Sequence, residues 1–209
     1  MKKTLVAIGD SITLGTYTAE TDKSADSIVE HPFAEQVANH FGYNEFINCG
    51  MNGTSVSRTA DVFSDQAMSI RIDQTPNADL LIVAAGTNDY AGSLKIGTYD
   101  DGEDFSFSGG VSVFFSKIAK RYKKVAVITP IPRECDGENE SGHTLDDYRR
   151  VLAHFAELHG FILIDGSKVN IDAKSPEGRA LYMRDGLHPN QKGHDLYAEY
   201  LISELEKVL

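Results

Sequence analysis

Five short runs of apolar residues are spaced along the chain, and each run ends in small or polar residues. They lie at residues 4–8, 45–48, 80–85, 125–129 and 161–165. Continuous runs rich in Val, Ile and Leu are typical of parallel strands, because such strands are buried on both faces. The pattern therefore predicts a sheet of five parallel strands.

Helical patterns separate these runs. Residues 144–159 carry apolar side chains at helical spacing after Thr144, which suits the N-cap position. Residues 32–41 form a second helical pattern, and the segment from Pro189 onward forms a third, with Pro189 expected in its first helical position. Parallel strands need crossovers, so the alternation predicts a doubly wound α/β sheet with helices on both faces.

Composition limits the possible functions. The 209 residues, of which 41% are hydrophobic, suffice for one domain spanning 1–209. A net charge of −11 argues against a nucleic-acid partner, which requires clustered Lys and Arg. The first apolar run ends at Ile8, too short for the core of a signal peptide, and no run approaches the length of a membrane span. We expect a cytoplasmic protein, although a chain trimmed of its leader would be exported instead.

Glycine-containing polar segments follow three of the predicted strands, at residues 9–11, 48–55 and 86–89. The carboxyl ends of parallel strands meet at one edge of the sheet, where α/β folds place their ligands. The first segment supplies Ser11, which becomes a nucleophile only when a base removes its proton. His188, with Asp185 three residues before it, is the candidate base with its orienting acid.

The other two segments contain candidate donors for the oxyanion of an acyl-transfer reaction. Glycine lets a backbone N–H approach a ligand closely, and asparagine offers a side-chain amide. Gly53 and Asn88 suit these roles, together with the backbone N–H of Ser11.

These segments resemble those of the SGNH hydrolases, also called the GDSL esterase/lipase family, and the resemblance covers nearly the whole chain. The four family blocks match, in order, residues 9–11, 48–55, 86–89 and 185–188. The resemblance implies a three-layer α/β/α sandwich of the flavodoxin-like type. It also implies that Ser11 is the nucleophile, Asp185 the acid and His188 the base. The three oxyanion donors that it implies are Ser11, Gly53 and Asn88. Gly50 is the alternative to Gly53, because it lies in the same block.

Each motif alone has a structural interpretation. Gly-Asp-Ser after a strand is common turn chemistry, and Asn88 is suited to capping a short helix. Asp185 is suited to capping a loop, and His188 to a place beside the N-cap of the last helix. The four motifs in family order favour a hydrolase site.

The sequence thus predicts a serine esterase that forms an acyl-enzyme on Ser11 and hydrolyses short acyl groups, such as acetyl on a carbohydrate. The alternatives are a lipase or lysophospholipase, a transacylase of the same family, and a non-catalytic carbohydrate-binding module. Four residues beside the blocks are expected to contact the substrate: Asp10, Tyr90, Ile131 and Leu187. Arg133 is a candidate for binding an acidic substrate group, but a surface salt bridge is its more ordinary use.

No cofactor or metal is expected. The acidic residues 100–104 lack the spacing of a calcium loop, and the sequence contains no glycine-rich nucleotide loop. Cys49 and Cys135 are expected to be free thiols. The polar segment 90–108 is expected to be a mobile insertion. The expected partner is a small ester, and the oligomeric state is left open.

Overall fold

A computed structural model of the protein describes residues 3–19, 26–58 and 64–209. Its central sheet has five parallel strands in the order β4-β1-β5-β6-β7. These strands are β1 (Thr4–Gly9), β4 (Glu45–Gly50), β5 (Leu80–Ala84), β6 (Val125–Ile128) and β7 (Ile162–Ile164). Each lies on one of the five predicted apolar runs, which confirms the predicted sheet.

Eight α-helices occur in the described ranges. They are α1 (Ser11–Leu14), α2 (Phe33–His40), α3 (Met68–Arg71), α4 (Thr87–Ala91), α5 (Phe107–Arg121), α6 (Leu145–Leu158), α7 (Pro176–Tyr182) and α8 (Gln191–Leu205). Single 3₁₀ turns lie at Ser64–Gln66, Ile72–Gln74 and Gly166–Lys168. None of the helices in these ranges has the combination of length and hydropathy needed to cross a bilayer.

The helices cover both faces of the sheet, as predicted. On one face α5 and α6 contribute a cluster of buried aromatic side chains, namely Phe107, Phe114, Phe115, Tyr148 and Phe155. On the other face α2 packs against α8, where the rings of Phe33 and Tyr197 lie 4.1 Å apart between centroids. The fold is therefore an α/β/α sandwich.

The order in which strands are added to the sheet reverses at β1. The chain passes from β1 to β4 on one side and later returns to β5 on the other side of β1. A crevice forms outside the strand ends at such a switch point, and ligands of α/β proteins bind there. The segment after β1 contains Ser11, and the segment after β5 contains Asn88.

Two predicted boundaries differ from the structure. Helix α8 begins at Gln191, because Asn190 is its N-cap and accepts the N–H of Gly193 at 3.1 Å, so Pro189 lies before the helix. The predicted insertion at 90–108 is shorter, because Phe107 and Ser108 are buried in the first turn of α5.

A small hairpin was not predicted. Strands β2 (Thr16–Thr18) and β3 (Asp26–Ile28) pair antiparallel beside α1. Three residues per strand are too few for the alternating pattern that identifies a strand in sequence.

Candidate active site

Ser11, His188 and Asp185 form a continuous chain of hydrogen bonds. The Oγ of Ser11 lies 2.9 Å from Nε2 of His188, although the two residues are 177 positions apart. The other ring nitrogen, Nδ1, lies 2.7 Å from Oδ2 of Asp185. The structure thus brings together the three residues that the sequence singled out.

The end of β1 presents Ser11 to the crevice. Asp10 caps α1, and its Oδ1 accepts the backbone N–H of Ile12 at 2.9 Å. A Cβ on Gly9 would lie 2.0 Å from Oγ1 of Thr13 and 2.6 Å from the carbonyl oxygen of Ala84. Because only glycine fits there, α1 folds back directly on the strand end and holds Ser11 in place.

Asp185 fixes the turn that carries His188. Its Oδ1 accepts the backbone N–H groups of Leu187 and His188, at 2.9 and 2.7 Å. Its Oδ2 accepts the ring N–H of His188 and the hydroxyl of Thr18, the latter at 3.0 Å. Burial acts to raise the pKa of Asp185, but the hydrogen bonds from His188 and Leu187 outweigh burial and hold it well below its usual range. Asp185 is therefore an anion at neutral pH.

The side-chain amide of Asn88 is held in place by the neighbouring block. Its Nδ2 donates to the carbonyl oxygen of Thr54 at 2.9 Å. An amide has two N–H groups, so this bond fixes the orientation of the second N–H. The geometry provides an oriented donor at the end of β5.

The two candidate glycines occupy different environments. The N–H of Gly50 donates to Oδ1 of Asn48 at 2.9 Å, and a Cβ at Gly50 would lie 2.3 Å from the backbone nitrogen of Leu14. Gly53 is exposed, has a φ of 71°, and its N–H has no acceptor in the part of the chain that the structure describes. This difference favours Gly53 as the free donor.

Two side chains to which the sequence assigned no role, Asp89 and Arg71, hold these loops together. The Asp89 carboxylate accepts the N–H groups of Val56 and Ser57 at 2.9 and 3.1 Å. Burial raises the pKa of Asp89 to about 7, while these N–H groups act in the opposite direction. Asp89 thereby ties the loop after β4 to α4.

Arg71 is the second of these side chains. It donates to the carbonyl oxygens of Cys49 and Gly9, at 2.8 and 2.9 Å, and to the hydroxyl of Thr54 at 3.0 Å. It therefore joins the ends of β4 and β1 to the loop that contains Gly53.

The four predicted substrate contacts lie in different settings. Asp10, with Ile131, lines a cavity of about 20 Å³ beneath the crevice, room for about one water molecule. Burial raises the pKa of Asp10 to about 6, while the N–H of Ile12 and the charge of His188 act to lower it.

Tyr90 is 5% exposed, and its hydroxyl donates to the carbonyl oxygen of Gly137 at 2.9 Å. Leu187 is half-buried and packs against the core on the α8 side of the sheet.

An open groove of about 970 Å³ extends from His188 between the small hairpin and the helices α7 and α8. Its walls include the side chains of Tyr17, Ile28 and Leu181. Within ranges 3–19, 26–58 and 64–209, no three His, Cys, Asp or Glu side chains are placed to share a metal ion.

Hydrolases of several unrelated folds share a Ser–His–Asp hydrogen-bond chain, and here it lies at the switch point of a parallel α/β sheet. The chain belongs to the GDSL-like lipase/acylhydrolase family, whose sequence model matches residues 7–196. No curated protein gives a significant sequence match.

Solved structures share the fold. A protein from Lactobacillus plantarum is 23% identical with a TM-score of 0.83, over 99% of this chain and 98% of that one. The aryl esterase of M. smegmatis is 19% identical with a TM-score of 0.71, over 99% and 100%. A mutant acetyl-xylooligosaccharide esterase from Geobacillus is 18% identical with a TM-score of 0.62, over 98% and 96%.

Proposed function

We propose that this protein is a serine esterase that hydrolyses carboxylic esters of short acyl groups through an acyl-enzyme on Ser11. The observation that carries the proposal is the 2.9 Å contact between the Ser11 hydroxyl and a histidine whose other nitrogen lies 2.7 Å from an ionised carboxylate. A histidine held in this way has its basic nitrogen directed at the serine.

In the first half-reaction, Nε2 of His188 takes the proton of Ser11 as Oγ bonds to the ester carbonyl carbon. The tetrahedral intermediate then collapses, the bond to the alcohol oxygen breaks, and His188 returns the proton to the leaving alcohol. Asp185 keeps the N–H of the imidazole on Nδ1 and stabilises the imidazolium that forms in between.

In the second half-reaction, water replaces the alcohol. His188 takes a proton from water as its oxygen attacks the acyl carbon, and Ser11 leaves with that proton. The products are the carboxylic acid and the free enzyme, so no co-reactant besides water is needed.

The carbonyl oxygen carries a negative charge in both tetrahedral intermediates. We assign its stabilisation to the backbone N–H groups of Ser11 and Gly53 and to the amide of Asn88. Preset donors of this kind each contribute roughly 2.7–4 kcal/mol to transition-state stabilisation.

The fold also occurs in an acetyl-xylooligosaccharide esterase, and this supports a preference for short acyl groups. We therefore place acetyl esters, including those on carbohydrates, first among the substrates.

The test is initial-rate hydrolysis of p-nitrophenyl esters from acetate to palmitate by the native chain, Ser11→Ala and Ser167→Ala. Ser167 is an exposed serine outside the site and serves as the matched control. We expect the rate to peak at short chains, to vanish in Ser11→Ala and to be unchanged in Ser167→Ala. A fluorophosphonate should label the native chain but not Ser11→Ala.

Other outcomes point to the other functions. A peak at long chains indicates a lipase, and products formed with an added acceptor alcohol indicate a transacylase. A folded native chain that neither hydrolyses any ester nor reacts with the fluorophosphonate would overturn the proposal in favour of a binding module.

A further inference from the structure

The loop after β6 contains an arginine without a carboxylate partner. The two acidic residues nearest to it in the sequence pair with other cations: Glu134 pairs with Arg179 at 2.7 Å, and Asp136 pairs with Lys174 at 2.5 Å. No carboxylate of the described residues forms an ion pair with Arg133, so the surface salt bridge expected from the sequence is wrong.

Arg133 is nevertheless held firmly. Its Nη1 donates to the carbonyl oxygen and to Oγ1 of Thr87, at 3.2 and 3.0 Å. The guanidinium carbon lies 5.2 Å from the centre of the Tyr90 ring, a cation–π distance. These contacts fix the plane of the guanidinium without neutralising its charge.

One edge of this guanidinium has no partner. Nε is buried and has no acceptor, and Nη2 likewise has none in the described part of the chain. Nε and Nη2 lie on the same edge of the guanidinium. Nε is closed to solvent, so Nη2 is the donor that a substrate carboxylate can reach, and the charge of the guanidinium attracts it.

The position of Arg133 relates this edge to the reacting atoms. Thr87, which holds it, directly precedes Asn88 and lines the same small cavity as Asp10. The next residue in the loop, Glu134, donates its N–H to the carbonyl oxygen of Gly186 at 2.8 Å. Arg133 therefore lies between the helix that carries Asn88 and the turn that carries His188.

We propose that Arg133 binds a carboxylate carried by the ester substrate, so that the enzyme prefers esters with a negative charge near the scissile bond. This inference rests on the proposed esterase function and adds a substrate class to it. The protein as a whole, at −11, repels anions. A preference for a charged ester therefore has to come from a local cation.

The test compares charged esters with neutral analogues of the same length. On the acyl side, these are the mono-p-nitrophenyl esters of dicarboxylic acids from glutarate to suberate, each paired with its methyl-capped diester. On the alcohol side, they are 3- and 4-acetoxybenzoate, each paired with its methyl ester. The pair that shows the preference tells whether the carboxylate lies on the acyl or the alcohol side of the ester, and how far it lies from the scissile bond.

We expect the native chain to show a kcat/KM at least tenfold higher for the charged member of one pair. Arg133→Gln should remove this preference while it hydrolyses the neutral member within twofold of the native rate, which also shows that the variant is folded. Arg133→Lys should keep part of the preference, because it keeps the charge but loses the planar edge. Arg150→Gln, at an exposed arginine that pairs with Asp147, is the matched control and should behave as the native chain.

Equal rates for both members of every pair in the native chain would overturn the inference, as would a preference that persists in Arg133→Gln. Failure of the esterase function itself is recognised separately, by calorimetric binding to Ser11→Ala. This variant should bind the preferred charged ester at least tenfold more tightly than the neutral one. In the double variant that also carries Arg133→Gln, the two affinities should be equal. Equal binding to Ser11→Ala contradicts the role of Arg133 whether or not the native chain turns over.

Discussion

The hydroxyl of Thr18 donates a hydrogen bond of 3.0 Å to Oδ2 of Asp185, which lies 167 positions later in the chain. The same oxygen accepts the ring N–H of His188. The hairpin strand β2 therefore helps to orient the acid of the site. Asp185 is held by its own turn and by this strand together.

Replacement of Thr18 by the isosteric Val removes this bond without a change in shape. A hydrogen bond to a charged group contributes about 1.5–3 kcal/mol, and about 1.4 kcal/mol corresponds to a factor of ten in rate. We expect Thr18→Val to lower kcat about tenfold with little change in KM, because the loss affects the positioning of His188. Steady-state kinetics on a short ester measures this.

Thr98→Val is the matched control, because Thr98 donates a similar bond of 2.8 Å to Asp101 in an exposed loop. It should leave kcat unchanged. An undiminished kcat in Thr18→Val would show that the Asp185 turn needs no support from the hairpin.

Replacement of Asn88 by Ala removes a proposed oxyanion donor. The expected result is a kcat lower by about 10²–10³, with KM nearly unchanged, because the donor acts on charge that develops in the transition state. Asn77→Ala provides the control, since Asn77 is a loop asparagine bonded to Arg121. A rise in KM at constant kcat would instead assign Asn88 to ground-state binding.

The two glycines of the second block should differ in their effect on stability. Gly50→Ala places a Cβ 2.3 Å from the backbone of Leu14, so we expect it to destabilise the fold by about 3 kcal/mol. Gly53→Ala carries the cost of a positive φ, about 1–2 kcal/mol. Urea unfolding of both variants measures the difference, and an equal loss would contradict the distinction between them.

Asp10→Asn should change how stability depends on pH. Burial raises the pKa of Asp10 to about 6 in the folded protein, from about 4 in the unfolded chain. Below pH 4 the carboxyl is neutral in both states. As the pH rises from 4 through 6, the unfolded chain loses its proton first, so the native protein loses stability over this window.

The Asn variant lacks this loss and retains the N-cap, because asparagine caps helices as well as aspartate does. Its stability relative to the native protein should therefore improve by about 3 kcal/mol between pH 4 and pH 7, a shift of roughly two pKa units. Urea unfolding at half-unit pH steps tests this. A difference that stays constant with pH would mean that Asp10 ionises normally in the folded state.

The strands and the main site motifs are predictable from the sequence because their signals are local. An apolar run such as 80–85 indicates a buried strand, and the 9–11 segment follows another strand directly. The convergence of Ser11 and Asn88 then follows from the rule that parallel strands end at one edge of the sheet.

The supports of the site are not predictable in this way, since their partners are distant or are backbone groups. Arg71 binds carbonyl oxygens, which every residue possesses. Asp89 binds two backbone N–H groups of a loop about thirty residues earlier. Thr18 lies in a strand of three residues, too short to show a period. No residue type at these positions identifies the partner.

The contact between Ser11 and His188 joins residues near opposite ends of the chain. During synthesis, the nucleophile emerges 177 positions before its base. A growing chain that does not yet contain His188 therefore has no base for Ser11. Recovery of activity after denaturation should report the docking of the His188 turn at the strand edge, and covalent serine reagents should distinguish molecules in which this docking has occurred from those in which it has not.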